Sequence, residues 1–124
     1  MAATAFIALA VTACGSSSSN PATSAVLGSQ VQQDCTAVAD VLSNGPDPDA
    51  DPAGYAQAQI LPLRQLKLSD SALQRDVLAL AAAYQVVSTG GGTGSAAAST
   101  AAAAAAAVTK AENSVNSICP QAAP

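Results

Sequence analysis

Apolar residues return along this chain every three or four positions and nowhere alternate with period two, so the pattern predicts helices and no sheet. The cleanest stripe is Leu73, Val77, Leu80, Tyr84 and Val87, whose spacing keeps one face of a helix apolar. Arg75 and Asp76 project away from that face, Ser69-Asp70-Ser71 reads as the start, and Gly90-Gly91-Gly92-Thr93-Gly94 ends it in a turn. A second stripe, Leu27, Val31, Cys35, Val38 and Leu42, predicts a helix over about 25–43 with Ser24 as its N-cap. Gln32, Gln33 and Asp34 are read as lying off its apolar face. Asn44-Gly45-Pro46 stops this helix, because Asn or Gly accepts left-handed cap geometry and proline cannot continue.

Two further helices complete the picture. Asp51-Pro52 has the chemistry of an N-cap followed by a first helical residue, opening a helix over 52–66 with Tyr55, Ile60, Leu63 and Leu66 as its apolar set. Pro62 lies inside it and removes a backbone donor, which predicts a kink or break near 59–61. Ser95 is a candidate cap for the last helix, over about 96–118. Its apolar line runs through Ala104, Val108, Ala111, Val115 and Ile118, and its run of alanines has high helix propensity. Four segments with short connections predict an all-α fold, a small up-and-down bundle of three to four helices over residues 26–119. Pro120 ends the last helix, and residues 120–124 are expected to be a disordered tail.

The first 25 residues follow a different rule. Residues 2–13 form a short apolar run, too short for the roughly 20 residues that span a bilayer. It ends in Val11-Thr12-Ala13-Cys14, small residues before a cysteine, which reads as a lipobox. Residues 1–13 are then a lipoprotein signal peptide cut before Cys14, and residues 14–25 a lipidated cysteine and a flexible, disordered Ser-rich tether. No Lys or Arg precedes the apolar run, where a signal peptide carries positive charge, so a translation start upstream of Met1 is expected. The chain has three cysteines. With Cys14 lipidated, Cys35 and Cys119 remain as one pair, predicting an exported protein with one disulfide. A bridge enclosing so long a loop contributes about 4–5 kcal/mol.

The lipobox, the Gly/Ser/Thr/Pro tether, the Ala-rich helical body and the late Ile118-Cys119-Pro120 together resemble the small secreted lipoproteins of actinobacteria, of the mycobacterial type. The lipobox is the specific motif; the body matches in composition. The resemblance implies acyl chains on Cys14, attachment to the outer face of the cytoplasmic membrane, and O-glycosylation of tether residues such as Ser16–Ser19, Thr23 and Ser24. It transfers a location and not a chemistry.

Composition narrows the function classes. Eight acidic against four basic residues give a net charge of −4, and Arg64, Lys67, Arg75 and Lys110 are scattered, which disfavours nucleic acid. With no Trp, and Tyr55 and Tyr84 as the only aromatics after the leader, a base-stacking platform is also missing. The chain contains no histidine, so Ser-His-Asp and Cys-His catalysis in their usual forms are excluded, and zinc lacks ligands. The glycine-rich turn lacks the Lys of a phosphate loop and follows a helix. Asp47, Asp49 and Asp51 alternate as in a calcium loop, but Pro52 and Ala58 stand where Gly and Glu are required, so a solvated linker is the preferred reading. Glu112 has no carboxylate partner at helical spacing. Tyr84 reads as a half-buried core residue with its hydroxyl in water, not as a haem ligand. The chain is therefore expected to be a non-enzymatic, membrane-anchored binding module without cofactor or metal. It would take a protein partner, a lipid or another apolar ligand. The alternative is a structural envelope spacer or assembly subunit with no ligand. A cavity between the helices would favour carriage; a filled core with exposed apolar side chains would favour a protein partner.

Overall fold

The computed structural model describes residues 21–90, 95–120 and 122–124. Four helices follow one another, α1 Pro21–Leu42, α2 Pro52–Gln65, α3 Ser71–Thr89 and α4 Ser95–Ile118. They form a small all-α, up-and-down bundle, with no strand among the described residues. Cys14 and its lipobox, the tether through Asn20, and Gly91–Gly94 lie outside the described residues, as does the side chain of Leu27.

The helices start and stop where local chemistry directs. The Asp51 carboxylate accepts from the Gly54 N–H at 2.9 Å and Pro52 opens α2, which leaves few amide donors unsatisfied in the first turn. Asp70 does the same for α3, accepting from the Leu73 N–H at 2.8 Å, and Gln74 reaches back to the Leu68 N–H at 2.9 Å. After α1 the chain turns at Gly45, whose φ of 119° is a conformation that side chains with a Cβ avoid.

Three expectations are corrected by the observed elements. The first helix begins at Pro21, so residues 21–25 are helical and not part of a tether. Proline suits the first turn of a helix, where its missing N–H has no acceptor to lose. The second helix runs to Gln65 through Pro62, so the expected break is absent. Pro62 and Ala58, whose carbonyl loses its amide donor, are both exposed, so water can satisfy that carbonyl. The tail past Pro120 is also tied down. Asn116 accepts from the Ala123 N–H at 2.9 Å and donates to the Ala123 carbonyl at 3.2 Å, and Ala123 is buried.

The core is mostly aliphatic, with Tyr55 and Tyr84 set among the Leu, Val and Ala side chains. Val38, Leu63, Leu73, Val77, Leu80 and Val115 are 0% exposed. Each such side chain contributes about 1.5–3 kcal/mol by leaving water. The α3 stripe sits at the centre, with α2 packed along one side and α4 along the other. Buried Ala81, Ala104 and Ala111 help α3 and α4 approach closely. The first helix meets α2 more sparingly and is held by specific ties. The Cys35–Cys119 disulfide joins it to the end of α4, with the two Cα atoms 5.3 Å apart. The Tyr55 hydroxyl donates to the Leu42 carbonyl at 2.7 Å, and the Gln59 amide donates to the Asn44 carbonyl.

The fourth tie is Asp34. Its carboxylate is buried and accepts from the Ser69 and Asp70 N–H groups at 2.7 and 2.9 Å, immediately before α3. The expectation that Asp34 lies off the inward face is thus wrong. It stands three residues after Val31 and four before Val38, a spacing that shares their face. A carboxylate beside a helix N-terminus is favourable there because unpaired amides and the helix dipole both face it.

Candidate functional site

Among the described residues, titratable side chains from three helices converge where Tyr55 on α2, Tyr84 on α3 and Glu112 on α4 meet. Tyr55 occupies the first turn of α2 because Asp51 and Pro52 fix the start of that helix. Tyr84 is carried inward by the α3 stripe and is 2% exposed. The two rings meet edge to face, with centroids 5.8 Å apart and an interplanar angle of 86°. Such a pair adds about 0.5–1.5 kcal/mol beyond its burial.

Glu112 completes the cluster. Its Oε1 accepts from the Tyr84 hydroxyl at 3.2 Å. The hydroxyl expected to sit in water is therefore bonded within the protein, because α4 brings a carboxylate to the position water would have taken. Burial pushes the Glu112 carboxyl above the ordinary carboxylate range, opposed by the hydrogen bond from Tyr84. Burial pushes the Tyr84 hydroxyl far above the ordinary tyrosine range, with Tyr55 and Glu112 adding to it. Tyr55 is raised for the same first reason. Both phenols stay neutral donors at any physiological pH.

Above the cluster lies an open groove of about 390 Å³. Val87 and Val108 line it together with Tyr84 and Glu112, and so do Asp49 and Pro52. A neighbouring open groove of about 600 Å³ runs from Leu42 and Tyr55 to Ala123. Both are surface depressions over a filled core. Among the described residues, three large apolar side chains lie at the surface: Leu61 at 65%, Leu78 at 44% and Val86 at 45% exposure. No described helix is long and apolar enough to cross a membrane.

The residues singled out in the sequence are distributed as follows. Cys35 and Cys119 are joined, and Cys14 falls outside the described residues. In the Asp47–Asp51 loop, Asp47 Oδ1 accepts from the Asp49 and Ala50 N–H groups at 2.8 and 3.4 Å, and Asp51 caps α2. Two of the three carboxylates thus serve their own backbone, and no group of three or more potential metal ligands gathers among the described residues. Gly90 closes α3, its N–H donating to the Val87 carbonyl at 3.3 Å.

Sequence reasoning missed that Glu112 meets Tyr84, 28 positions away. A signal existed: Glu112 follows Val108 by four and precedes Val115 by three, so it borders the apolar stripe. It also missed Gln59, which is 1% exposed and one position from Ile60. The cluster brings a carboxyl and two phenols together beside apolar lining residues. Compared with protein-family models, with curated proteins and with solved structures, the chain matches none of them.

Proposed function

We propose that this chain is a lipid-anchored module at the outer face of a bacterial cytoplasmic membrane, which binds a protein partner and catalyses no reaction. The observation that carries the binding half is a filled core beneath open, partly apolar surface grooves. A carrier of apolar cargo needs an enclosed volume, whereas the apolar residues Val38, Leu63, Leu73, Val77, Leu80 and Val115 leave the interior occupied. Exposed Leu61, Leu78 and Val86, together with the groove over Glu112, supply surface for a partner.

The anchoring half rests on the cysteines. The Cys35–Cys119 bridge suits an oxidising compartment, and it leaves Cys14, at the end of the apolar leader, as the remaining thiol for acylation. One myristoyl-length chain holds a protein only reversibly, so stable anchoring requires the two or more chains of a lipoprotein cysteine. Two measurements test the proposal. Intact mass of the membrane-extracted protein should begin at Cys14 and carry diacylglyceryl mass; an uncut leader without acyl mass overturns the anchor. Cross-linking in the native membrane should give a discrete partner band. A smear or no adduct would instead indicate the structural spacer.

A further inference from the structure

We propose that the groove over Glu112 receives the ammonium of a lysine side chain from a partner polypeptide, with Glu112 as counter-charge and Val87 and Val108 along the aliphatic stem. This rests on the reading of the chain as a protein-binding module and names the chemistry of what it binds.

The argument starts from charge. Glu112 is half-buried, and only Oε1 has a protein partner, the Tyr84 hydroxyl; Oε2 has none among the described residues. No basic residue lines the groove: Arg64, Lys67, Arg75 and Lys110 all lie elsewhere, and the other ionisable side chains there are Asp49, Tyr55 and Tyr84. A partly desolvated carboxylate without a counter-charge is costly, and an arriving cation removes that cost. An anion would face Glu112 and Asp49 together, and a neutral apolar group would strip the remaining water from Oε2 without replacing it.

The geometry then separates the two basic side chains. Arginine binds a carboxylate best through two parallel bonds, which requires both oxygens. Here Oε1 already accepts from Tyr84, so an arginine fork would have to share that oxygen, whereas Oε2 by itself suits the compact ammonium of lysine. Val87 and Val108 line the same groove as Glu112, so the methylene stem of lysine can cover apolar surface while its head meets the charge.

The test uses the purified full chain and small probes that copy side-chain ends. Tyr55 and Tyr84 are its two tyrosines, both border the groove, and the chain has no Trp, so tyrosine emission reports binding directly. n-Butylammonium should give a saturable change in emission and shift the Val87 and Val108 methyl resonances; butyrate should give neither. n-Butylguanidinium should bind more weakly than n-butylammonium. Glu112→Gln keeps an acceptor for Tyr84 and should weaken butylammonium binding by about ten-fold or more. Asp76→Asn, which changes a carboxylate outside the groove, should leave it unchanged. Absence of saturable binding, equal binding by Glu112→Gln, or tighter binding of the guanidinium overturns the proposal. None of these readouts depends on acylation of Cys14, so failure here is distinct from failure of the anchor.

Discussion

Opening the Cys35–Cys119 bridge removes the tie that joins the first helix to the last, and its cost can be worked from the chain. The cysteines are 84 positions apart. Closing a loop of that length restricts the unfolded chain by about 4.5 kcal/mol at 25 °C on the chain-entropy model. A domain of this size has about 5–15 kcal/mol of total stability, so the bridge is a large share. Cys119 is 2% exposed, and replacing it by alanine leaves a small void that adds roughly 1 kcal/mol. At about 4–8 °C per kcal/mol, the melting temperature should fall by roughly 20–45 °C. The assay is thermal unfolding followed by helical circular dichroism, comparing the parent, the parent with a phosphine reductant, and the Cys35→Ala/Cys119→Ala double variant. Reduction should reproduce most of the effect, since it opens the same loop without emptying the core. Hydrogen exchange should then accelerate in α1 before α3, because α1 is left with the packing of Val38 and Leu42 and the ties at Asp34, Tyr55 and Gln59, while α3 sits at the centre of the core. A melting temperature within about 5 °C of the parent after either treatment would refute the loop-closure reasoning.

Other outcomes follow from single side chains. Asp34→Ala strands the Ser69 and Asp70 N–H groups and should lower stability by about 2–4 kcal/mol in urea titration, with Asp34→Asn recovering part of it. Equal stability of all three proteins would show that water replaces the carboxylate. The raised Glu112 carboxyl means the folded state holds that proton more tightly than the unfolded chain. The linked stability is therefore full below the ordinary value of 4.5 and is lost as pH rises through the raised one. Glu112→Gln should flatten this slope and be more stable than the parent at neutral pH; superimposable pH profiles would contradict it. Gly45→Ala forces a Cβ onto a φ of 119° and within 3.1 Å of the Gln59 amide nitrogen. It should cost about 1–3 kcal/mol, read as a shift in urea midpoint.

Asp34, Gln59 and Glu112 mark where reading the chain stops being sufficient. The existence and type of the helices were legible because they depend on neighbours three or four positions away, as in Leu73, Val77, Leu80 and Tyr84. The caps at Asp51 and Asp70, the stop at Gly45 and the pairing of Cys35 with Cys119 were legible too, by turn chemistry and by parity of the cysteines. The start of α1 and the passage of α2 through Pro62 were not. An end turn and an exposed carbonyl differ from their alternatives by little free energy, and solvent decides them.

What the chain alone determined is thus the inward face of each helix and the covalent closure of the bundle. Tertiary structure decided which polar groups could go inside with that face. Asp34 is buried because amides 35 and 36 positions away meet it, and Tyr84 is satisfied because Glu112 arrives from another helix. Burial of a polar atom is favourable only when a remote segment supplies its partner, and local spacing carries no record of that segment. The groove over Glu112 exists for the same reason: three helices that share no local pattern place a carboxyl, two phenols and two valines side by side.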